Sequence, residues 1–418
     1  MSLDLITECH ECGLLQRNPP MPPGGGVRCP RCGCVLHRSR PDSLDHTLAL
    51  TVAGAVLFVI ANVFPFLTLE MQGGATETTL SSGVLTLYDQ GEWHLAAVVL
   101  FTSILAPGLQ LSLLLAVLLP LRFGKPTLGF GILFRYVKTL TPWGMMDVFL
   151  LGILVSVVKL ASIAGIVPGV SLFAFVLLIL VLAAAQASLD PDIVWSRVPV
   201  PDAARRLPTP GEQALSCHIC ELTLPVGTAQ RSHHGRTHCP RCGAALHRRK
   251  PRSLERTWAL VIAAVICLVP ANLLPIMRVT SLGQIQSDTI VSGVVFLFSH
   301  GMWPLAVIVF VASVFVPLMK LSLLVYLTAS VHFRSAWRPR ERTRLYRVTE
   351  AVGRWSMVDI YVVAILVTMV QLGNLATIEA GPGAIFFAAV VVLTMFAAMA
   401  FDPRLIWDNR ERSHDGNR

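Results

Sequence analysis

The sequence predicts an all-α polytopic membrane protein in which two tandem four-helix transmembrane repeats are each preceded by a small cysteine-rich module. Three observations lead there. The 418 residues are 54% hydrophobic and only 14% charged, against roughly 25% charged in an ordinary soluble domain. The apolar residues gather in blocks of about 20, the length that crosses a bilayer. Matching residues also recur 208 to 212 positions apart, so the chain is written twice. This composition excludes a single soluble enzyme core, a disordered chain and a disulfide-rich secreted module. The net charge of +9 excludes a chain made of spans alone.

Eight spans are expected, at 48–67, 93–121, 143–165, 166–189, 258–277, 303–330, 355–378 and 380–401. The first 45 residues are polar and lack the apolar core of a signal peptide. Every Lys and Arg except Lys159, Lys320 and Arg278 falls on one side of this arrangement, whereas loop 68–92 carries Glu70, Glu77, Asp89 and Glu92 without a basic residue. Basic loops stay in the cytoplasm, so both termini are expected to be cytoplasmic.

The duplication sets the domain plan. Ala61-Asn62 matches Ala271-Asn272, Pro65 matches Pro275, Ser82-Gly83 matches Ser292-Gly293 and Trp93 matches Trp303. Trp143, Met145 and Asp147 match Trp355, Met357 and Asp359, and Asp190-Pro191 matches Asp402-Pro403. The expected units are a cysteine module (1–45), a four-helix repeat (46–190), a proline-rich linker (191–213), a second module (214–253), a second repeat (254–402) and a cytoplasmic tail (403–418). Four spans is an even number, so the repeats enter the membrane in the same direction. A shared pathway would lie at their interface.

The modules carry metal-ligand spacing. Cys9-x-x-Cys12 precedes Cys29-x-x-Cys32 by 16 residues, and Cys217-x-x-Cys220 precedes Cys239-x-x-Cys242 by 18. Two CxxC knuckles at this distance present four sulfurs to one tetrahedral ion, the pattern of a structural zinc ribbon. Spacing does not choose the metal, so iron in the same cage stays open. Cytoplasmic placement argues against stable disulfides. Cys29-Pro30-Arg31-Cys32-Gly33 and Cys239-Pro240-Arg241-Cys242-Gly243 have the turn residues a knuckle favours. Cys217-His218-Ile219-Cys220-Glu221 lacks the glycine, so a less regular second module is expected. Cys34 and Cys267 lack counterparts and read as bystanders, and His37 and His247 read as surface residues rather than ligands. The basic run Arg248, Arg249, Lys250 and Arg252 precedes a span, where such groups set topology and meet headgroups. No nucleic-acid partner is therefore expected.

Charges inside the spans are the candidate transport pathway, because each costs at least ~2.5 kcal/mol in hydrocarbon. Asp147, Lys159, Lys320 and Asp359 are these residues. Asp147 and Lys159 lie twelve residues apart, about 18 Å along a helix, so their partners must come from other helices. An anchor near the span end is the competing role for the two Asp, and snorkelling for the two Lys. Asn62 and Asn272 precede Pro65 and Pro275, where proline frees a carbonyl that the amide can bond, opening a kink. Pro107 and Pro317 interrupt the long second spans. No Walker A or dinucleotide fingerprint is present, and no histidine pair within the spans suits haem. A non-enzymatic protein is expected.

Three motifs carry a resemblance: Pro270-Ala271-Asn272-x-x-Pro275-Ile276-Met277, Gly353-Arg354-Trp355-Ser356-Met357-Val358-Asp359 and Phe401-Asp402-Pro403-Arg404-x-x-Trp407-Asp408. With the duplicated ribbon-plus-four-span layout, the chain resembles the paraquat-inducible protein A family over nearly its whole length. The resemblance implies a Gram-negative inner-membrane protein partnered with mammalian-cell-entry (MCE) proteins, which form lipid-carrying tunnels across the periplasm. It also implies passage of membrane phospholipid between the bilayer and the partner's channel. Two alternatives stand beside this: a redox or stress-response protein using the cysteine modules, and a scaffold that anchors the MCE partner.

Overall fold

The computed structural model describes residues 6–408 apart from 18, 20, 21, 23, 41, 72–73, 125–128, 161–164, 202–213, 227–229, 232–236, 282–283, 300, 302, 354–360, 363 and 366–375. The chain is mostly helical, and it is a multi-pass membrane protein. Its first ribbon is two short antiparallel hairpins, β1 (Ile6–Glu8) with β2 (Leu15–Arg17) and β3 (Gly26–Arg28) with β4 (Val35–Arg38). The first half then runs α1 (Ser43–Val63), β5 (Leu67–Met71), β6 (Gly74–Thr78), α2 (Leu80–Asp89), α3 (Trp93–Arg122), α4 (Phe130–Leu140), α5 (Met146–Leu160), β7 (Gly165–Pro168) and α6 (Val170–Ser188). A short α7 (Pro191–Ser196) leads to the second ribbon, β8 (Ala214–Ser216) with β9 (Thr223–Pro225) and β10 (Gln230–Arg231) with β11 (Thr237–His238). The second half has α8 (Ser253–Leu273), β12 (Met277–Ser281), β13 (Gln284–Asp288), α9 (Ile290–Ser299), α10 (Ala306–His332), α11 (Pro339–Gly353), β14 (Ala376–Ala380) and α12 (Pro382–Ala400).

Seven helices among the described residues are long and apolar enough to cross a membrane: α1, α3, α6, α8, α10, α12 and the Phe130–Val157 stretch that holds α4 and most of α5. The expected span 355–378 falls mostly outside the described residues. Within each half the first and last helices pack lengthwise, α1 on α6 and α8 on α12. Serines pin the pairs: Ser43 Oγ donates to the Ser188 carbonyl at 2.7 Å, and Ser253 Oγ to the Ala400 carbonyl at 2.8 Å.

Two features depart from an all-helical reading. On the face opposite the ribbons, β6-β5-β7 and β13-β12-β14 form three-stranded antiparallel sheets in the same strand order. Leu67 pairs with both Thr78 and Pro168, and Met277 with both Asp288 and Ala380. Leu67, Leu69 and Met71 alternate with Thr68 and Glu70, a period of two that marks a strand, but the run is five residues long and touches an apolar span. The short helices α2 and α9 also lie on this face. Ten residues reach about 15 Å, too short to cross. Each starts with a reciprocal cap: Ser82 N donates to Thr79 Oγ1 at 3.1 Å and Thr79 N to Ser82 Oγ at 2.8 Å, and Ser292 with Thr289 does the same at 3.2 and 2.9 Å.

The prolines act differently from expectation. Asn62 Nδ2 donates to the Phe58 carbonyl at 2.8 Å and Asn272 Nδ2 to that of Leu268 at 2.9 Å, each one turn back in its own helix. The carbonyl that Pro65 frees is Ala61's, and the Ser171 hydroxyl of α6 takes it. Before Pro107 and Pro317 the helices widen into π turns at Leu100–Leu105 and Val311–Phe315. A π turn absorbs the register lost where proline has no N–H to give.

Each ribbon covers the other half. The first ribbon's Cys9, Cys12, Val27 and Leu36 share a core with Leu327 and Val331 of α10, Tyr346 of α11 and the terminal Phe401, Ile406 and Trp407. The second ribbon's cysteines and Leu224 share a core with Leu118 and Leu121 of α3, Phe130 and Phe134 of α4, and Trp195 of α7. A ribbon of some 40 residues cannot enclose a core of its own, so it must rest on helices.

Candidate metal centres and the contact between the halves

The four sulfurs of Cys9, Cys12, Cys29 and Cys32 lie together, as do those of Cys217, Cys220, Cys239 and Cys242. Cys9 to Cys32, Cys12 to Cys29, Cys217 to Cys242 and Cys220 to Cys239 each span 3.5 Å. Tetrahedral sulfurs at 2.3 Å from an ion sit about 3.8 Å apart, so both cages fit a metal. Neighbouring thiols as hydrogen-bond donors lower Cys32 to about 6 and Cys217 to about 7, and the same neighbours push Cys12 and Cys220 up. Four thiols this close do not all ionise alone; a bound cation is what would deprotonate the set.

The backbone repeats in every knuckle. Gly13 N donates to the Cys9 carbonyl, Gly33 N to Cys29, Glu221 N to Cys217 and Gly243 N to Cys239, all at 2.8 or 2.9 Å. The fifth residue is left-handed each time, with φ of 72°, 74°, 58° and 69°. Glu221 thus holds the glycine conformation, and the knuckle it closes is as regular as the other three, at a side-chain strain of about 1 kcal/mol.

His37 is not a surface residue. It is buried, with Nδ1 2.8 Å from Asp192 Oδ2 and Nε2 3.9 Å from Glu221 Oε2, joining the first ribbon, the segment after α6 and the second ribbon. The hydrogen bond to Asp192 raises its pKa above the ordinary 6.5 despite burial. A raised folded pKa gives stability that is complete below 6.5 and is lost as pH rises through the raised value. The melting-temperature advantage of wild type over His37→Gln is therefore expected to shrink as pH climbs above 6.5. An advantage that is flat with pH rules the ion pair out.

Acidic residues of the first ribbon meet arginines of the second half. Glu8 Oε1 lies 3.0 Å from Arg404 and 3.5 Å from Arg249, and Glu11 takes Arg347 Nε at 2.8 Å as well as its Nη2. Arg31 lies over the Trp407 ring at 4.7 Å. On the other side, Lys138 Nζ of α4 donates to the Ile219 carbonyl at 3.0 Å, and a Cβ on Gly131 would fall 2.5 Å from the Arg241 carbonyl oxygen. Cys34 Sγ lies 3.3 Å from His10 Nε2, outside the four-sulfur cage.

The intramembrane candidates separate. Lys320 is 1% exposed, with Nζ 3.4 Å from the Gly353 carbonyl at the end of α11, where a cation complements the helix dipole. Asp147 opens α5 and is exposed. Lys159 belongs to α5, but its side chain and the whole of Asp359 lie outside the described residues. Sequence reasoning missed Tyr361, which is fully buried and donates its hydroxyl to Thr102 Oγ1 in the π turn of α3 at 2.5 Å. It packs on Phe149 with ring centroids 5.2 Å apart. Beside it is a narrow apolar recess of about 50 Å³ with Phe66, Val84, Leu87, Phe149 and Ile153 from the first half and Ala364 and Ile365 from the second.

A family model described as Paraquat-inducible protein A matches residues 44–199 and again 254–411. The chain is 34% identical to Intermembrane transport protein PqiA of Escherichia coli (strain K12), covering 97% of this chain and 96% of that one. It is 31% identical to Lipophilic envelope-spanning tunnel protein A of the same strain, over 96% and 91%. It is 29% identical to a Probable intermembrane transport protein of Haemophilus influenzae, over 97% and 96%. No solved structure matches it.

Proposed function

The chain belongs to the paraquat-inducible protein A family, and from that premise we propose that it is the inner-membrane subunit of an MCE-type phospholipid transport system. It passes lipid between the bilayer and a periplasmic MCE tunnel without catalysing a reaction. The relatives' names, intermembrane transport protein and lipophilic envelope-spanning tunnel protein, support transport across the envelope. The two separate family matches support two tandem four-span repeats, and the basic ribbon side supports cytoplasmic termini. Zinc is the metal proposed for both four-cysteine cages, as a structural ion.

One observation carries the lipid reading: the apolar recess on the face opposite the ribbons has walls from both halves. At about 50 Å³ it admits the end of an acyl chain and no more. Passage of a whole lipid needs α2, the ten-residue helix that contributes Val84 and Leu87 to the recess wall, to move off it. Asp147, Lys159, Lys320 and Asp359 are proposed as the polar side of that path, with Lys320 placed to sense movement of α11. Asn62 and Asn272, bonded within their own helices, support helix shape at its border.

The test is photo-crosslinking in detergent after bulk lipid removal, with the reactive residue at Val84, Phe149 or Ile153 and, as control, at the outward-facing Val59. Covalent phospholipid is expected at the recess positions above the yield at Val59. Equal or absent lipid there, with the MCE partner still bound, favours the scaffold reading.

A further inference from the structure

A large polar cavity lies between the two ribbons and the second half, far from the apolar recess. It measures about 620 Å³ and is lined by five cationic side chains, Arg248, Arg249, Lys250, Arg256 and Arg404, against three carboxylates, Glu11, Glu350 and Asp402. Most of these are engaged: Arg249 with Asp408, Arg404 with Glu8, Glu11 with Arg347, and Asp402 with the backbone amides of Lys250 and Arg404. Lys250 Nζ donates to the Met399 and Phe401 carbonyls. Among the described residues the guanidinium groups of Arg248 and Arg256 make no hydrogen bond or close ion pair, although Arg248 lies in the field of Glu8, and Glu350, the one lining carboxylate equally without a bond, faces the charge of Lys250.

The duplication supplies an internal control. The equivalent place in the first half is a cavity of about 180 Å³ with three cations, Arg38, Arg40 and Lys138, balanced by Asp190, Asp192 and Glu221. Arg38 and Arg40 correspond to Arg248 and Lys250, and Asp190 to Asp402. The charge divergence falls chiefly on four positions: Asp192, which bonds His37, is replaced by Arg404, Ser39 by Arg249 and His46 by Arg256, against the opposite change of Lys138 to Glu350. One copy is therefore small and neutralised, and the other is large and basic.

Depth indicates the ligand. Arg256 is in the first turn of α8, and Met399 and Ala400 close the last turn of α12, so the cavity opens where spans leave the bilayer and lipid phosphates sit. Free guanidinium forks match phosphate oxygens two at a time. We propose that this cavity binds a phosphate-bearing anion, supplied by the headgroup of an anionic phospholipid or as soluble phosphate. This needs the membrane placement of the chain but not the transport reading.

Native mass spectrometry of the full-length protein released from nanodiscs tests it, comparing phosphatidylglycerol with phosphatidylcholine and titrating inorganic phosphate. Wild type is expected to retain phosphatidylglycerol preferentially, and the R248E/R256E double variant to lose at least about tenfold in apparent affinity. The R248K/R256K variant keeps most of it, and reversing Arg334 and Arg344, exposed residues outside the cavity, changes nothing. Phosphate that displaces the lipid and binds alone with the same dependence on Arg248 and Arg256 upholds the site and assigns it to the soluble source. Retention by R248E/R256E equal to wild type, or equal loss on reversing Arg334 and Arg344, overturns the proposal. Because no partner or transport step is involved, that failure leaves the transport reading standing.

Discussion

Replacing Cys9 and Cys12 by serine is expected to remove hydrogen-exchange protection from the second half of the chain rather than from the first. The segments to lose it are α11, the end of α10 and residues 401–408, because Tyr346, Val331, Phe401 and Trp407 share their core with the first ribbon. The reciprocal change, Cys217 and Cys220 to serine, is expected to expose α4 and α7, whose Phe134 and Trp195 pack on the second ribbon. Metal binding contributes about 10–16 kcal/mol to small zinc modules, so either double variant unfolds its ribbon. Loss of the first ribbon also strips Glu8 and Glu11 from Arg404 and Arg347; breaking a partly buried pair of this kind costs up to about 3–5 kcal/mol. If each variant loosens only the half that follows it in the chain, the crossed docking is wrong. Metal analysis of the same preparations reads the ion: redox-silent zinc at two per chain is expected, whereas iron with a reversible potential would favour the redox alternative.

Gly152→Leu is expected to push the halves apart. A Cβ on Gly152 would stand 2.8 Å from Tyr361 Cβ, too close for real side chains, and that carbon is the root of its side chain, fixed by the helical backbone 3.5 Å away at Val362, so it cannot swing aside. Overpacking costs about 1–3 kcal/mol. The displaced Tyr361 also loses its bond to Thr102, worth about 1 kcal/mol. Unfolding in mixed micelles should show a loss of about 2–4 kcal/mol for Gly152→Leu. Tyr361→Phe should lose only about 1, and the double variant less than the sum, since both act on one contact. Unfolding of Gly152→Leu at the wild-type midpoint would mean that the helices do not approach closely there.

How much of this was legible in the sequence depended on the range of the interaction. The spans are written in composition, since about 20 apolar residues in a row have no stable place but a bilayer. The cages are written in spacing, because a CxxC turn places its two sulfurs by local backbone geometry alone. The capping pairs Thr79/Ser82 and Thr289/Ser292 are equally local, and they explain why Ser82-Gly83 and Ser292-Gly293 match. The sheets were harder to see. β5 and β7 are separated by the whole of α2 to α5, and their short runs lie against apolar spans that mask a period of two. Tyr361 gave no signal at all, since one tyrosine in a helix is ordinary until the partner across the gap is known.

By itself the sequence determined a duplicated, multi-pass chain with two four-thiol modules and a basic side, because each of these follows from nearby residues and from solvent preference. Only the tertiary structure decided that each module rests on the opposite half, that His37 is a buried bridge, and that one of two equivalent cavities is large and basic. Those outcomes depend on which surfaces meet among residues from 81 to 396 positions apart. Two modules alike in sequence pattern can cover either half; complementary charge and shape, Glu8 and Glu11 against Arg404 and Arg347, and Gly131 against the Arg241 carbonyl, select between them.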